Sequence, residues 1–257
     1  MRPKIFLLFS ITMLTISCYK EKYEGKIAYN QEIILGKYLD SILTNNFNII
    51  DTTNYIYANS IYNFLDSLIN KITLSQEIML TANKKYCCRI IIDTSINILN
   101  LPCNYIYITT GLLKTIENTA QLAGGLAHFI SHNDRRHQMD NLEKCYGINL
   151  ILKAISGNKI LLEDISNKIV SNHELLKYSE DQEKEAIKYG IYYLSTTNYD
   201  ILEIINFEKL LLKSESLKKF HPYNDKEKLI NDTYNQIGMP EGNKDKIQYN
   251  NFKSLLP

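Results

Sequence analysis

The sequence predicts an α+β chain, mainly helical with a small β-sheet, and three observations carry that prediction. Between residues 30 and 80, Ile33, Ile34, Tyr38, Ile42 and Leu43, and then Ile61, Phe64, Leu65, Leu68 and Ile69, recur at near-helical spacing. Two short runs, Cys88–Asp93 and Tyr105–Thr109, are rich in β-branched and aromatic residues and read as strands. A third stretch, opening at Asn118 and rich in small and apolar residues, reads as one more helix and holds three of the chain's 5 histidines.

Taken in order, residues 1–18 read as a targeting segment. Met1-Arg2-Pro3-Lys4 is a basic start, and Ile5 to Ile16 is an apolar run too short to span a bilayer. Ser17-Cys18 at its end resembles a bacterial lipoprotein signal, in which Cys18 becomes the lipidated N-terminus, although Thr15 stands where Leu is usual and Leu14 lies one residue further back. The expectation is an exported chain, lipid-anchored in a bacterial cell envelope and facing the periplasm or the exterior. Residues 19–30 are charged and lack apolar periodicity, as a tether does. Residues 31–257 are then the folded domain.

With 45% hydrophobic residues and a formal net charge of +1, the composition suggests neither disorder nor a nucleic-acid partner. Of 5 cysteines, Cys87, Cys88, Cys103 and Cys145 remain after Cys18. Export permits disulfides, whose pairing sequence does not fix. No Cys-x-x-Cys spacing occurs, so a cysteine zinc site is not expected. Adjacent Cys87 and Cys88 should face opposite sides of a strand. Two amphipathic helices are expected between residues 30 and 80, with turn clusters at Thr44-Asn45-Asn46 and Asp51-Thr52-Thr53-Asn54. Asn97 to Asn104, with Pro102, reads as a turn, and Gly111-Leu112-Leu113 opens a helical stretch.

The histidine helix carries the chemistry. Asn118 is its expected N-cap, with Gln121 three residues on as a variant capping box. At about 100° per residue, His128 and His132 lie on one face, where they can share a metal ion. The pair is the skeleton of His-Glu-x-x-His, in which Glu is the general base, but that position is Phe129. Phe129 instead lines up with Leu122 and Leu126 as part of a core stripe. His137, nine positions after His128, falls on the opposite side if the helix continues, and reads as a solvent-side or packing residue.

The succession of a strand, a Pro turn, Tyr105-Ile-Tyr-Ile-Thr109, Gly-Leu-Leu and Leu122-Ala-Gly-Gly-Leu-Ala-His128-x-x-x-His132 resembles the zinc metallopeptidases of family M48. Downstream, Glu183-Lys-Glu-Ala186 with Asn198-Tyr199-Asp200 is similar to that family's Glu-x-x-Ala-Asp helix and the Gly-Tyr-Asp after it, and His221-Pro222 to its late His-Pro segment. The resemblance spans from about residue 35 to about residue 250. It implies a zincin-like domain in which His128, His132 and Glu183 ligate one zinc ion, with His221 at the site's edge or behind a ligand. It also implies an edge strand, Tyr105, Ile106, Tyr107, Ile108 and Thr109, that receives an extended polypeptide by β-augmentation.

Two departures bear on activity. Phe129 removes the proton relay, a contribution of about 10²–10⁴-fold. Ile187 stands where the family has Asp, and losing such a ligand-supporting group typically costs about 10–100-fold in metal affinity or activity. The leading expectation is an envelope lipoprotein with a degenerate site, binding zinc and unfolded or partner polypeptides without efficient cleavage. The alternatives are an active zinc endopeptidase of envelope protein quality control, with Glu185 or Asp134 as the substitute carboxylate, and a metal-free structural protein.

Overall fold

The computed structural model describes residues 27–79, 85–171, 177–214, 217, 225–238 and 240–257. The expected signal with Cys18, most of the expected tether, and His221 lie outside the described residues. Ile27, the first described residue, lies inside the stretch expected to be tether and is already packed and hydrogen-bonded. Its amide donates to Glu143 Oε1 at 3.0 Å and its carbonyl accepts from Arg136 Nη2 at 2.6 Å.

The two expected helices form as α1 (Tyr29–Asn46) and α2 (Ala58–Thr73). In α2 the buried face is the expected one, with Ile61, Leu65, Leu68 and Ile69 turned inward. In α1 it is shifted by about one residue: Leu35, Leu39 and Leu43 are buried, whereas Ile34 and Tyr38 are exposed. Hydrophobic spacing alone misplaced that face because it also carries Glu32 and Asp40, both buried. Glu32 accepts from Arg136 Nε at 2.8 Å, and Asp40 accepts two bonds from Arg89 and one from the Tyr107 hydroxyl. Buried carboxylates with such partners carry little penalty and can sit in an apolar stripe.

Three strands follow: β1 (Cys87–Ile91), β2 (Ile98–Leu101) and β3 (Tyr105–Thr109). Their order is β1-β3-β2, with β1 parallel and β2 antiparallel to β3. Cys88 is buried while Cys87 is half-exposed, as alternation requires. β2 lies within the stretch expected to be a turn. Flanking Asn and Pro hide a four-residue strand whose Ile98, Leu99 and Leu101 are all buried. The true turn is Pro102-Cys103-Asn104, where Cys103 and Asn104 have φ of 62° and 66°.

This order corrects the expected substrate edge. Tyr105, Ile106, Tyr107, Ile108 and Thr109 form the central strand, bonded on both sides, so no backbone edge remains there for a guest. The outer side of β1 is met by residues 48–50, through Ile50 N to Ile90 O at 2.9 Å and Ile92 N to Asn48 O at 2.8 Å. The sheet's other margin is β2. Both faces of the sheet are covered. Cys88, Ile90, Ile106 and Ile108 join the core under α2, and Ile91, Leu99, Leu101 and Tyr107 join a second core under α1.

The remaining helices are α3 (Thr110–Thr115), α4 (Thr119–Asp134), α5 (His137–Tyr146), α6 (Ile148–Ile155), α7 (Lys159–Ser171), α8 (Glu180–Leu194), α9 (Glu203–Leu211), α10 (Lys226–Ile237) and α11 (Lys246–Lys253). Among the described residues, no helix is long and apolar enough to cross a membrane. α4 is the histidine helix, and all of its residues are buried. Its N-cap is Asn118, whose side chain accepts from Gln121 N, while Gln121 reaches back to the amide of Glu117, not of Asn118.

A helix enclosed on every side needs neighbours that approach closely, and three glycines permit this. A Cβ on Gly124 would lie 2.8 Å from Ile204 Cα of α9, and one on Gly125 would lie 2.2 Å from the Phe207 ring. A Cβ on Gly190 of α8 would lie 3.2 Å from the His128 backbone. Two mid-helix glycines cost about 0.5–1 kcal/mol each in conformational entropy, and they admit the helices that bring carboxylates to His128. Gly124→Ala should therefore destabilise the chain by about 1–3 kcal/mol through overpacking, measured as a lower midpoint in urea unfolding.

Candidate metal centre

Because His128 and His132 are one turn apart on α4, their rings stack at 4.8 Å and their Nε2 atoms lie 2.8 Å apart. Glu183 comes from the first turn of α8, which starts in a capping box made by Ser179 and Gln182. Its Oε1 is 3.3 Å from His132 Nε2 and its Oε2 is 3.7 Å from His128 Nε2. All three side chains are fully buried, and one ligand atom from each falls within 4.8 Å of the others. The structure thus brings together the three residues that the resemblance implied. Two imidazole nitrogens and one carboxylate oxygen are the donor set of a catalytic zinc site, which keeps its fourth position for water. Burial pushes the His132 imidazole well below its usual range, against the pull of Glu183. Neutral imidazole is the form that a metal requires.

Two further residues join the cluster, and the sequence reading had not assigned them there. Glu208 of α9 places Oε1 2.6 Å from His128 Nδ1. Lys226, the first residue of α10, places Nζ 2.6 Å from Glu208 Oε2 and 2.8 Å from Glu183 Oε2. Burial opposes ionisation of both Glu208 and Lys226, but their mutual attraction outweighs it. The Lys226 ammonium, with His128, holds the Glu208 carboxyl below its usual range, and Glu208 and Glu183 raise Lys226. The signal for Glu208 was present in the sequence: it sits on the apolar stripe of Ile204, Phe207 and Leu211, where a carboxylate needs a buried partner.

His137 is a further correction. It is buried, with Nδ1 2.9 Å from His132 Nδ1 and Nε2 3.2 Å from Glu185 Oε2. The helix-wheel argument failed because α4 does not continue to it. Arg136 adopts a left-handed φ of 59°, and α5 begins at His137 in a new direction. Tyr178 stacks on His132 with ring centroids 3.6 Å apart and covers that side of the pair.

Neither proposed substitute base is placed to act. Asp134 is fully buried and accepts from the Tyr193 hydroxyl at 2.6 Å and from the Met79 amide at 3.0 Å. Glu185 engages the outer nitrogen of His137. Ile187 is buried in the apolar core, so the turn after Glu183 supplies no carboxylate. Phe129 is buried as well, 6.4 Å from the Phe207 ring in an edge-on contact. Its backbone carbonyl accepts from Asn100 Nδ2 at 2.6 Å, which ties α4 to β2. Because Phe129 packs in the core against Phe207, Phe129→Ala should cost about 3–5 kcal/mol of stability, read by thermal or urea unfolding of the metal-free chain.

A family model described as Peptidase family M48 matches residues 65–227, the stretch from α2 to the start of α10 that contains the whole cluster. No curated protein sequence matches the chain. With the match covering more than half of the chain, and with His128, His132 and Glu183 converging as described, the chain belongs to peptidase family M48.

Proposed function

We propose that this chain is an exported, lipid-anchored member of its family that holds one zinc ion at His128, His132 and Glu183 and binds polypeptide without cutting it efficiently. The observation that carries the reading is Phe129, which occupies the general-base position as a buried core residue. A bound zinc lowers the pKa of its water to about 7, yet moving that proton to a leaving amine needs a positioned group, worth about 10²–10⁴-fold. Asp134 and Glu185, the carboxylates nearest in sequence, are held elsewhere. The margin where a guest strand would have to add in this reading is β2, whose four residues are all buried and which Asn100 fastens to the carbonyl of Phe129. A metal-free scaffold is the second reading. It is favoured by Lys226, whose ammonium already compensates the carboxylates of Glu183 and Glu208.

The full chain in detergent, loaded with zinc and incubated with an unfolded protein such as reduced casein, should release no more peptide than its His128→Ala variant. Cleavage that a chelator stops and His128→Ala lacks would sink the proposal in favour of a working endopeptidase. The anchor is tested separately. The wild-type chain should partition into the membrane fraction, and Cys18→Ser should leave it.

A further inference from the structure

The outer nitrogens of both histidines meet partners whose chemistry dictates where the ring protons sit. Glu208, paired with Lys226 at 2.6 Å, sets a carboxylate oxygen 2.6 Å from His128 Nδ1, a contact that calls for the ring proton on Nδ1. On the other side, a Glu185 carboxylate 3.2 Å from His137 Nε2 puts the proton of that ring on Nε2. His137 Nδ1 is then an acceptor, and His132 donates to it from its own Nδ1 at 2.9 Å. Both ligand rings are thereby Nδ1–H tautomers, and both Nε2 lone pairs are directed at the same place, 2.8 Å apart and beside Glu183. Two lone pairs and a carboxylate converging on one place are the donor arrangement that a cation needs. Lys226 reaches Oε2 of Glu183 and leaves Oε1 on the side of His132.

We propose that Glu208, backed by Lys226, and His137, backed by Glu185, are positioning residues that hold His128 and His132 in the tautomer a metal ion requires, taking over the support that Ile187 cannot give. The inference rests on the zinc-binding reading. It places the supporting carboxylate on α9 in space, although α8 would have carried it in the family's pattern, and it gives His137 a role that sequence spacing denied it. Such partners of ligating imidazoles fix ring orientation and raise ligand basicity.

The test is the zinc affinity of the full chain, by competition with a chromophoric chelator, for wild type, Glu208→Gln, Glu208→Asp, His137→Phe and Glu185→Gln. The electronic spectrum of the Co²⁺-loaded form and the unfolding midpoint of the metal-free form are read alongside. Glu208→Gln and His137→Phe should weaken zinc binding about 10–100-fold, alter the cobalt spectrum, and change affinity by more than any shift in the metal-free midpoint explains. Glu185→Gln, at a partly exposed position, should give a smaller loss in the same direction. Should Glu208→Gln fail to fold, Glu208→Asp keeps the charge beside Lys226 while withdrawing the oxygen from Nδ1, and it should also bind zinc more weakly. Affinities within twofold of wild type in the folded variants of both arms would overturn the proposal and leave the zinc reading intact. A loss confined to one arm overturns the other arm. A wild-type chain that takes up no zinc overturns both the proposal and the zinc reading.

Discussion

Everything about this site follows from the enclosure of α4. A helix with no solvent-facing side cannot leave its polar side chains to water, and its histidines and Asp134 are met by neighbouring elements. His128 and His132 lie in its middle, both at zero exposure. α8 answers with Glu183, α9 with Glu208, α10 with Lys226, and the reversal after Asp134 returns the chain as His137. Gly124, Gly125 and Gly190 set how near α9 and α8 can come. The candidate metal-binding residues and the close packing are therefore one feature, and a change in either is felt by the other.

In the proposed reading, the same enclosure separates holding an ion from using it. Binding asks for two imidazole nitrogens and a carboxylate at fixed positions, and the cluster brings these together, with Lys226 Nζ between Glu183 and Glu208. Hydrolysis asks in addition for a group that moves a proton beside the ion. Phe129 supplies apolar area there and joins the core with Phe207. A buried aromatic at this position adds stability, whereas an unpaired buried carboxylate would carry a desolvation penalty of several kcal/mol.

Much of this was legible in the sequence. The helix–strand pattern, the strand at Tyr105–Thr109 and the His128, His132 and Glu183 set were all readable, the last through the order of motifs. β2 was hidden by its Asn and Pro neighbours, and the position of β3 inside the sheet is a matter of pairing partners, which no local pattern encodes. His137 was misassigned because one left-handed residue, Arg136, breaks the helical period that the argument extended across it. Glu208 and Lys226 meet the site from helices distant in sequence. Their only trace was a charged residue on an otherwise apolar face, a pattern that also misled the reading of α1 at Glu32 and Asp40.

The central claim is that the three buried donors form a site for one zinc ion, and the most direct measurement is zinc per polypeptide in the purified full chain by elemental mass spectrometry, with His128→Ala as control. The account predicts close to one zinc in the wild-type chain and none in the variant. No zinc in either protein would contradict it, and would leave a scaffold in which Lys226 balances the carboxylates of Glu183 and Glu208.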